Sequence, residues 1–370
     1  MMFNMRRGED EERMRRCFAL AKKGVGAVSP NPVVGALVVL NGKVLGKGFH
    51  EKYGGPHAEI NAIRDALRRH SSIQGATLYV NLEPCVHHGK TPPCVDAIVR
   101  HGIRKVVAAI QDPNPRVAGK GFRALRRAGV SVVTGLLRSE AERLNEKFSR
   151  YITAGTPFVA IKAAQTNDGF IARRDGSSRW ISSKQSRTLV HRLRGEYDAV
   201  LVGAGTAIAD NPELTVRHIK GRNPVRVLVD GRLHTPLTAH LFNDKFRRKT
   251  IVLTGKSNAK RINQLRHRGV QVIVVNGKNN GVIPVGRILK ELAKKGIASL
   301  LVEGGQTMYR QFLQRRAVQK IYLFTSPKKF NDGTPLFDDV KNSFRIVRKT
   351  DRRVGRDHYL EGYISYRKGN

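Results

Sequence analysis

His57, Glu59, Cys85 and Cys94 are the residues whose types and spacing could do chemistry together. A catalytic zinc takes three protein ligands and keeps a fourth position for water, and imidazole nitrogen and thiolate sulfur are suitable donors. His57, Cys85 and Cys94 supply that set, for one Zn2+ per chain. Zinc lowers the pKa of its bound water toward neutrality, but attack on an amidine-like ring carbon also needs a group that moves protons to the ring and to the leaving amine. Glu59, two residues on from His57, is placed to be that acid/base.

His-x-Glu followed by Pro-Cys is the sequence signature of zinc deaminases, with the glutamate as acid/base and not as a ligand. In that signature two residues separate the cysteines, whereas here Val86 to Pro93 put eight between Cys85 and Cys94. Any one of these four residues alone is more often a buried side chain than a site, but the four in this order are not. Cys17 sits beside Phe18 and Leu20 in the first helical pattern and reads as a small buried apolar residue, not a ligand.

The elements that must hold these groups follow from periodicity. A helix is predicted from Glu9 to Lys23, broken by Ser29-Pro-Asn-Pro32, then an apolar strand from Val33 to Leu40 and a hairpin at Asn41-Gly42. His57 to His70 reads as a helix with Ile60, Ile63 and Leu67 on one face, so His57 and Glu59 fall in its first turn. A strand at Thr77 to Leu82 runs into Glu83-Pro-Cys85, and Pro92-Pro93 opens the helix carrying Cys94. Strands at 105–110 and 130–134 alternate with helices near 121–127 and 139–150, and the first domain closes near Tyr151. After Ala154-Gly-Thr-Pro157 come strands near 158–163, 198–202, 225–229, 250–253, 271–275, 299–302 and 319–325.

A chain of 370 residues with 40% hydrophobic residues and no low-complexity stretch can bury two cores. The charged start MMFNMRRGEDEERMRR has no apolar run suited to secretion, and no segment approaches the roughly 20 apolar residues of a membrane span. With three cysteines there is no disulfide framework, so thiols kept reduced in a cytoplasm are expected. The net charge of +39 raises nucleic acid, a membrane surface and phosphorylated small molecules as partners. It is spread over the chain, with 26 basic against 13 acidic residues in 1–150 and +26 over the remainder, which suits a solvated basic surface.

Ser29-Pro-Asn-Pro-x-Val-Gly35, Pro56-His-Ala-Glu59, Leu82-Glu-Pro-Cys85, Gly89-Lys-Thr-Pro-Pro-Cys94, Asp112-Pro-Asn-Pro115 and Leu144-Asn-x-x-Phe148 resemble the bifunctional deaminase-reductases of riboflavin biosynthesis. The resemblance continues through Lys162-Ala-Ala, Asp168-Gly, Ser178-x-Trp180-Ile, Arg194, Val202-Gly-x-Gly-Thr206, Ala209-Asp-Asn-Pro212, Leu214-Thr-Val-Arg217 and Leu301-Val-Glu-Gly-Gly305, nearly the whole chain. It implies an α/β protein with a cytidine-deaminase-like three-layer α/β/α domain over residues 1–153. A dihydrofolate-reductase-like α/β domain over 154–370 would follow it.

The implied activity is deamination of a phosphoribosylaminopyrimidine, then NADPH-dependent reduction of its ribosyl group to ribityl. The resemblance implies that Asn31 recognises the pyrimidine; His88 and Lys90 in the inserted loop are read as facing its phosphate, a compact ammonium beside a glycine suiting that group. Lys162, Ser178, Arg194, Leu214, Arg217 and Glu303 are expected to meet the second-step substrate, the two arginines being forked donors suited to phosphate. Ala164, Trp180, Thr206, Asp210 and Gly231 are expected at the cofactor, with Gly305, Gln306, Thr307, Met308, Tyr309, Arg310 and Gln311. The amides and positive dipole end of the helix that starts at Gln306 suit a dinucleotide phosphate. Gly203-x-Gly205 lacks the third glycine of a Rossmann fingerprint, so a Rossmann fold is not inferred.

A homo-oligomer formed through the second domain is expected, without membrane or nucleic-acid partners. Two rivals have discriminating signs: a nucleic-acid deaminase would bind RNA or DNA with steep salt dependence. A deaminase with a non-catalytic second domain would lack reductase residues, yet Lys162, Asp168, Trp180, Asp210, Arg217 and Glu303 are all present.

Overall fold

The computed structural model describes residues 2–87, 91–177, 181–275 and 281–367. The chain divides into two compact units, Met1–Gly155 and Thr156–Asn370.

The first unit is built on β1 (Gly35–Leu40), β2 (Lys43–Phe49), β3 (Thr77–Leu82), β4 (Lys105–Ile110) and β5 (Ser131–Thr134), in spatial order β2-β1-β3-β4-β5. The β1–β2 hairpin turns on Asn41 and Gly42, both at positive φ (49° and 78°), as a primed turn demands. Strand β1 pairs antiparallel with β2 and β3, while β3, β4 and β5 run parallel.

Helices cover both faces of the sheet, which is why β1 is a continuous apolar run. A Cβ on Gly35 would lie 2.2 Å from the Cys17 carbonyl oxygen in helix Met2–Lys22. Gly46 and Gly48 pair with Val38 and Ala36, on the opposite face. A Cβ on either would stand 2.3 Å from the backbone of Ala62 in helix Ala58–Leu67. Glycine therefore seats both helices directly on the sheet, in three layers.

The expected helix over 139–150 is two, Arg138–Leu144 and Glu146–Ala154, interrupted at Asn145. The Asn145 side chain is spent on β1's approach: the Val33 amide donates to Oδ1 at 2.9 Å and Nδ2 donates to the Val33 carbonyl at 3.0 Å. The second helix runs past Tyr151 and ends at Gly155, whose φ of 63° suits a C-terminal glycine.

The second unit carries β6 (Phe158–Thr166), β7 (Phe170–Ala172), β8 (Ala199–Gly203), β9 (Val225–Val229), β10 (Thr250–Thr254), β11 (Gln271–Val274), β12 (Ser299–Gly304), β13 (Lys320–Ser326), β14 (Thr334–Pro335), β15 (Phe344–Val354) and β16 (Asp357–Tyr366). Nine form one sheet, β11-β10-β9-β8-β12-β6-β13-β16-β15, parallel as far as β13. The antiparallel β15–β16 hairpin closes it; periodicity missed this pair because β15, FRIVRKTDRRV, is basic and largely exposed, as suits an edge strand.

From β8 the chain winds outward through β9, β10 and β11, then returns to insert β12 between β8 and β6 before leaving toward β13. Connections from the neighbours β8 and β12 thus depart in opposite directions. The crevice outside their carboxyl ends is where ligands bind in open α/β sheets.

Candidate active sites

The carboxyl end of β3 and the first turn of helix Ala58–Leu67 bring the zinc-type residues together. His57 caps that helix with extended backbone, Cys85 follows β3, and Cys94 starts helix Cys94–Arg100. The potential ligand atoms lie within 4.8 Å of one another, the one such group among the described residues. Ligands at about 2.0 and 2.3 Å from a tetrahedral zinc stand roughly 3.5 Å apart, and His57 Nδ1 is 3.5 Å from Cys85 Sγ and 3.3 Å from Cys94 Sγ. The donor set and its spacing fit zinc.

The Cys94 amide donates to Cys85 Sγ at 3.4 Å. Hydrogen bonding from the Cys94 thiol holds Cys85 as thiolate, and the same bond together with burial keeps Cys94 protonated. A divalent cation held between them would ionise both, since coordinating thiols are deprotonated. On the far side of the ring His57 Nε2 lies 3.4 Å from Thr91 Oγ1, in the inserted segment. With Nε2–H donated to that hydroxyl, the Nδ1 lone pair points at the metal position. Thr91 was not picked out from the sequence, because a threonine in a loop carries no spacing signal.

Glu59 is buried at 4% exposure. Burial raises its pKa above the usual carboxylate range, opposed by the nearby His57, with Cys94 among its partners. A carboxyl that can hold a proton beside a metal-bound water is what general acid/base work requires. The Glu59 amide belongs to the helix's first turn, so its distance from His57 is set by helix geometry.

Asn31 reaches the site through His50, a residue the sequence reading did not single out. His50 Nδ1 lies 3.0 Å from the Pro56 carbonyl, which fixes the proton there and leaves Nε2 to accept from Asn31 Nδ2 at 3.2 Å. Its ring packs edge-on against His57, centroids 5.4 Å apart, and burial lowers its pKa, so it is neutral.

Asp112 also belongs here: Leu82 pairs with Ile110, so the residues after β3 and β4 emerge side by side. Burial pushes the Asp112 carboxyl up to about 7, and Glu83, Cys85 and Glu59 add to the rise. Glu83 positions this loop. Its carboxylate accepts four backbone N–H bonds, from Asp112 (3.1 Å), Gly119 (2.8 Å), Gly121 (2.8 Å) and Phe122 (3.2 Å). His88 and Lys90 lie outside the described residues.

In the second unit Lys162, Arg194 and Glu303 converge at the carboxyl side of the sheet. Val302 pairs with Ile161, which sets Glu303 beside Lys162. Arg194, from helix Lys184–Glu196, grips Glu303 with two bonds, Nε to Oε1 at 2.7 Å and an NH2 bond to Oε2 at 2.8 Å, and donates to the Thr215 carbonyl at 3.0 Å. Burial alone would raise the Glu303 pKa, but Arg194 and Lys162 hold it down at about 2. Lys162 is lowered by burial, with Glu303 and Asp210 opposing that and Arg194 adding to it.

The turns after β8 and β12 pack on each other. Gly304 has φ of 139°, a region for glycine, and a Cβ on Gly305 would meet Thr206 Oγ1 at 2.9 Å. Gly305 caps helix Gln306–Gln314, whose Met308 and Tyr309 are core residues while Thr307 and Arg310 are exposed. Tyr309 Oη donates to the Lys162 carbonyl at 2.8 Å. Ala164 follows Lys162 on the same face of β6.

Gly231 sits after β9, where a Cβ would come within 1.6 Å of the Gly281 carbonyl oxygen, so close backbone packing accounts for that glycine. Leu214 is buried with φ of 53°, and Arg217 is exposed, paired with Glu213 at 2.7 Å. Ser178 and Trp180 lie outside the described residues.

A zinc-type deaminase site in one unit and a switch-point site with a buried Lys–Glu–Arg cluster in the other define a class: a metal-dependent deaminase and a reductase in one chain. The family of the RibD C-terminal domain matches residues 157–358, and that of the cytidine and deoxycytidylate deaminase zinc-binding region matches residues 7–110. The riboflavin biosynthesis protein RibD of Aquifex aeolicus is 44% identical over 353 residues, 94% of this chain and 96% of its own length. That of Escherichia coli K12 is 35% identical, covering 94% and 98%.

A solved structure from Thermotoga maritima, a diaminohydroxyphosphoribosylaminopyrimidine deaminase/5-amino-6-(5-phosphoribosylamino)uracil reductase, superimposes with TM-score 0.86 at 40% identity, covering 97% of this chain and 100% of that one. The RibD of Acinetobacter baumannii does so with TM-score 0.86 at 33% identity. The chain belongs to the RibD family of riboflavin biosynthesis, zinc-dependent deaminases joined to NADPH-dependent reductases. No helix among the described residues is long and apolar enough to cross a membrane.

Proposed function

We propose that this chain deaminates 2,5-diamino-6-(5-phosphoribosylamino)pyrimidin-4(3H)-one in its first unit. In the second it reduces the ribosyl group of the product, giving 5-amino-6-(5-phosphoribitylamino)uracil. The observation that carries the first step is the ligand triad with a buried glutamate in the first turn of the helix that His57 caps. Zinc, held by His57, Cys85 and Cys94, supplies a water acidified toward neutrality. Glu59 would pass one proton of the attacking water to the ring nitrogen and the other to the departing amine, which leaves as ammonia. Asn31, oriented by His50, hydrogen-bonds the pyrimidine edge, and Thr91 keeps the His57 ring in its metal-binding tautomer.

In the reductase step NADPH is the hydride donor, with its phosphates suited to the first turn of helix Gln306–Gln314 and its contacts spread over Ala164, Thr206 and Asp210. Lys162, whose charge the Glu303 carboxylate favours, meets the ring-opened sugar and donates a proton to it, while Arg194 holds Glu303 in place. Arg217, exposed at the end of an irregular arm, binds the substrate phosphate. The same reading includes a homo-oligomer through the second unit and a cytoplasmic location, which sizing of the purified protein and cell fractionation check.

The test supplies the diaminopyrimidinone phosphate to zinc-loaded protein, first without and then with NADPH, following mass and nicotinamide absorbance. The expected result is loss of one amine in the first phase and NADPH oxidation only in the second; no NADPH consumption would remove the reductase assignment. Glu59→Gln is expected to keep stoichiometric zinc and lower deamination by about 10²–10⁴-fold. Retained deamination would refute the role given to Glu59.

A further inference from the structure

Residues 211–217 form no helix or strand, yet Leu214 and Thr215 are buried at 2% and 1% exposure. A buried irregular segment needs partners for its backbone, and helix Lys184–Glu196 supplies two from positions one turn apart. Arg194 donates to the Thr215 carbonyl at 3.0 Å, and His191 Nδ1 accepts from the Arg217 amide at 3.0 Å. His191 is itself buried at 4% exposure, and the His218 ring stands edge-on against it at 4.4 Å. The accepting Nδ1 carries no proton, and burial with neighbouring Arg194 keeps the ring neutral.

We propose that His191 is a positioning residue for substrate binding in the reductase step, holding the Arg217 backbone so that its guanidinium meets the substrate phosphate. This inference rests on the assignment of Arg217 to that phosphate. His191 touches no reacting atom. It acts by fixing where the arm ends, while Arg194 fixes the same arm two residues earlier and ties it to Glu303.

The test compares His191→Phe, which keeps a flat ring and deletes the acceptor, with His191→Asn, whose Oδ1 stands in for Nδ1, and with Arg217→Ala. Reduction of the deaminated phosphoribosyl substrate is assayed in the full chain, with zinc content and deamination followed in parallel. His191→Phe is expected to raise KM about tenfold, the equivalent of one lost backbone hydrogen bond, with kcat within about threefold. His191→Asn is expected to recover most of that loss. An unchanged KM in His191→Phe, or no recovery in His191→Asn, overturns the inference. If Arg217→Ala leaves KM unchanged, the phosphate assignment falls and the inference with it; if Arg217→Ala raises KM and His191→Phe does not, only the inference falls.

Discussion

At the scale of single residues, the chemistry is decided by what each titratable group is made to face. Glu59 and Glu303 are both buried carboxyls, yet they are driven apart: Glu59 upward by burial, Glu303 down to about 2 by Arg194 and Lys162. The first can carry a proton and the second serves as a fixed charge. The zinc-type residues and Glu59 were legible in the sequence because metal ligation needs particular side chains at particular spacings. His50 was not, and Thr91 and Asp112 stood only inside longer motifs without a role, because all three act through neighbours that only the fold supplies. Arg194 was legible as an arginine but not as the partner of Glu303, 109 residues away.

His191 gives a residue-scale prediction with a definite sign. Its pKa is lowered from 6.5 to about 4, so below pH 6.5 the unfolded chain takes up a proton that the folded chain refuses. Stability from this group is complete above pH 6.5 and is lost as pH falls toward about 4. Melting temperatures across that window should decline less in His191→Phe than in the parent protein.

At the scale of elements, the parallel strands were readable within three residues, and the central ones are continuous apolar runs buried on both faces. The β15–β16 hairpin was hidden by its charge, and the split helix at Asn145 by a side chain borrowed by Val33. The glycines of β2 are worth more than a strand pattern reveals. Gly48→Ala should place a methyl 2.3 Å from the Ala62 amide and 2.5 Å from the Ala58 carbonyl. Overpacking of this kind costs about 1–3 kcal/mol, and because His57 and Glu59 ride on the displaced helix, zinc affinity should fall with stability. Denaturant melts and competitive chelation check both; a destabilised protein with unaltered zinc affinity would separate the helix seat from the site.

At the scale of the molecule, the chain is two compact units with separate cores, each with its own chemistry. Removing zinc with a chelator should abolish deamination while reduction of the already deaminated substrate keeps most of its rate, and added zinc should restore the first step. Equal loss of both rates would mean that the metal also maintains the second unit. The basic surface suits a phosphorylated substrate and a phosphorylated cofactor, each drawn from solution by the field of the protein.

The four backbone amides gathered by Glu83 have a consequence for motion. A loop is ordinarily where amide protons trade with solvent soonest, but the segment from Asp112 to Phe122 cannot lift away without stranding a buried carboxylate. Deuterium uptake at Asp112, Gly119, Gly121 and Phe122 should therefore be as slow as in the neighbouring strand β4. Rapid uptake there would mean that the floor of the deaminase site breathes on its own.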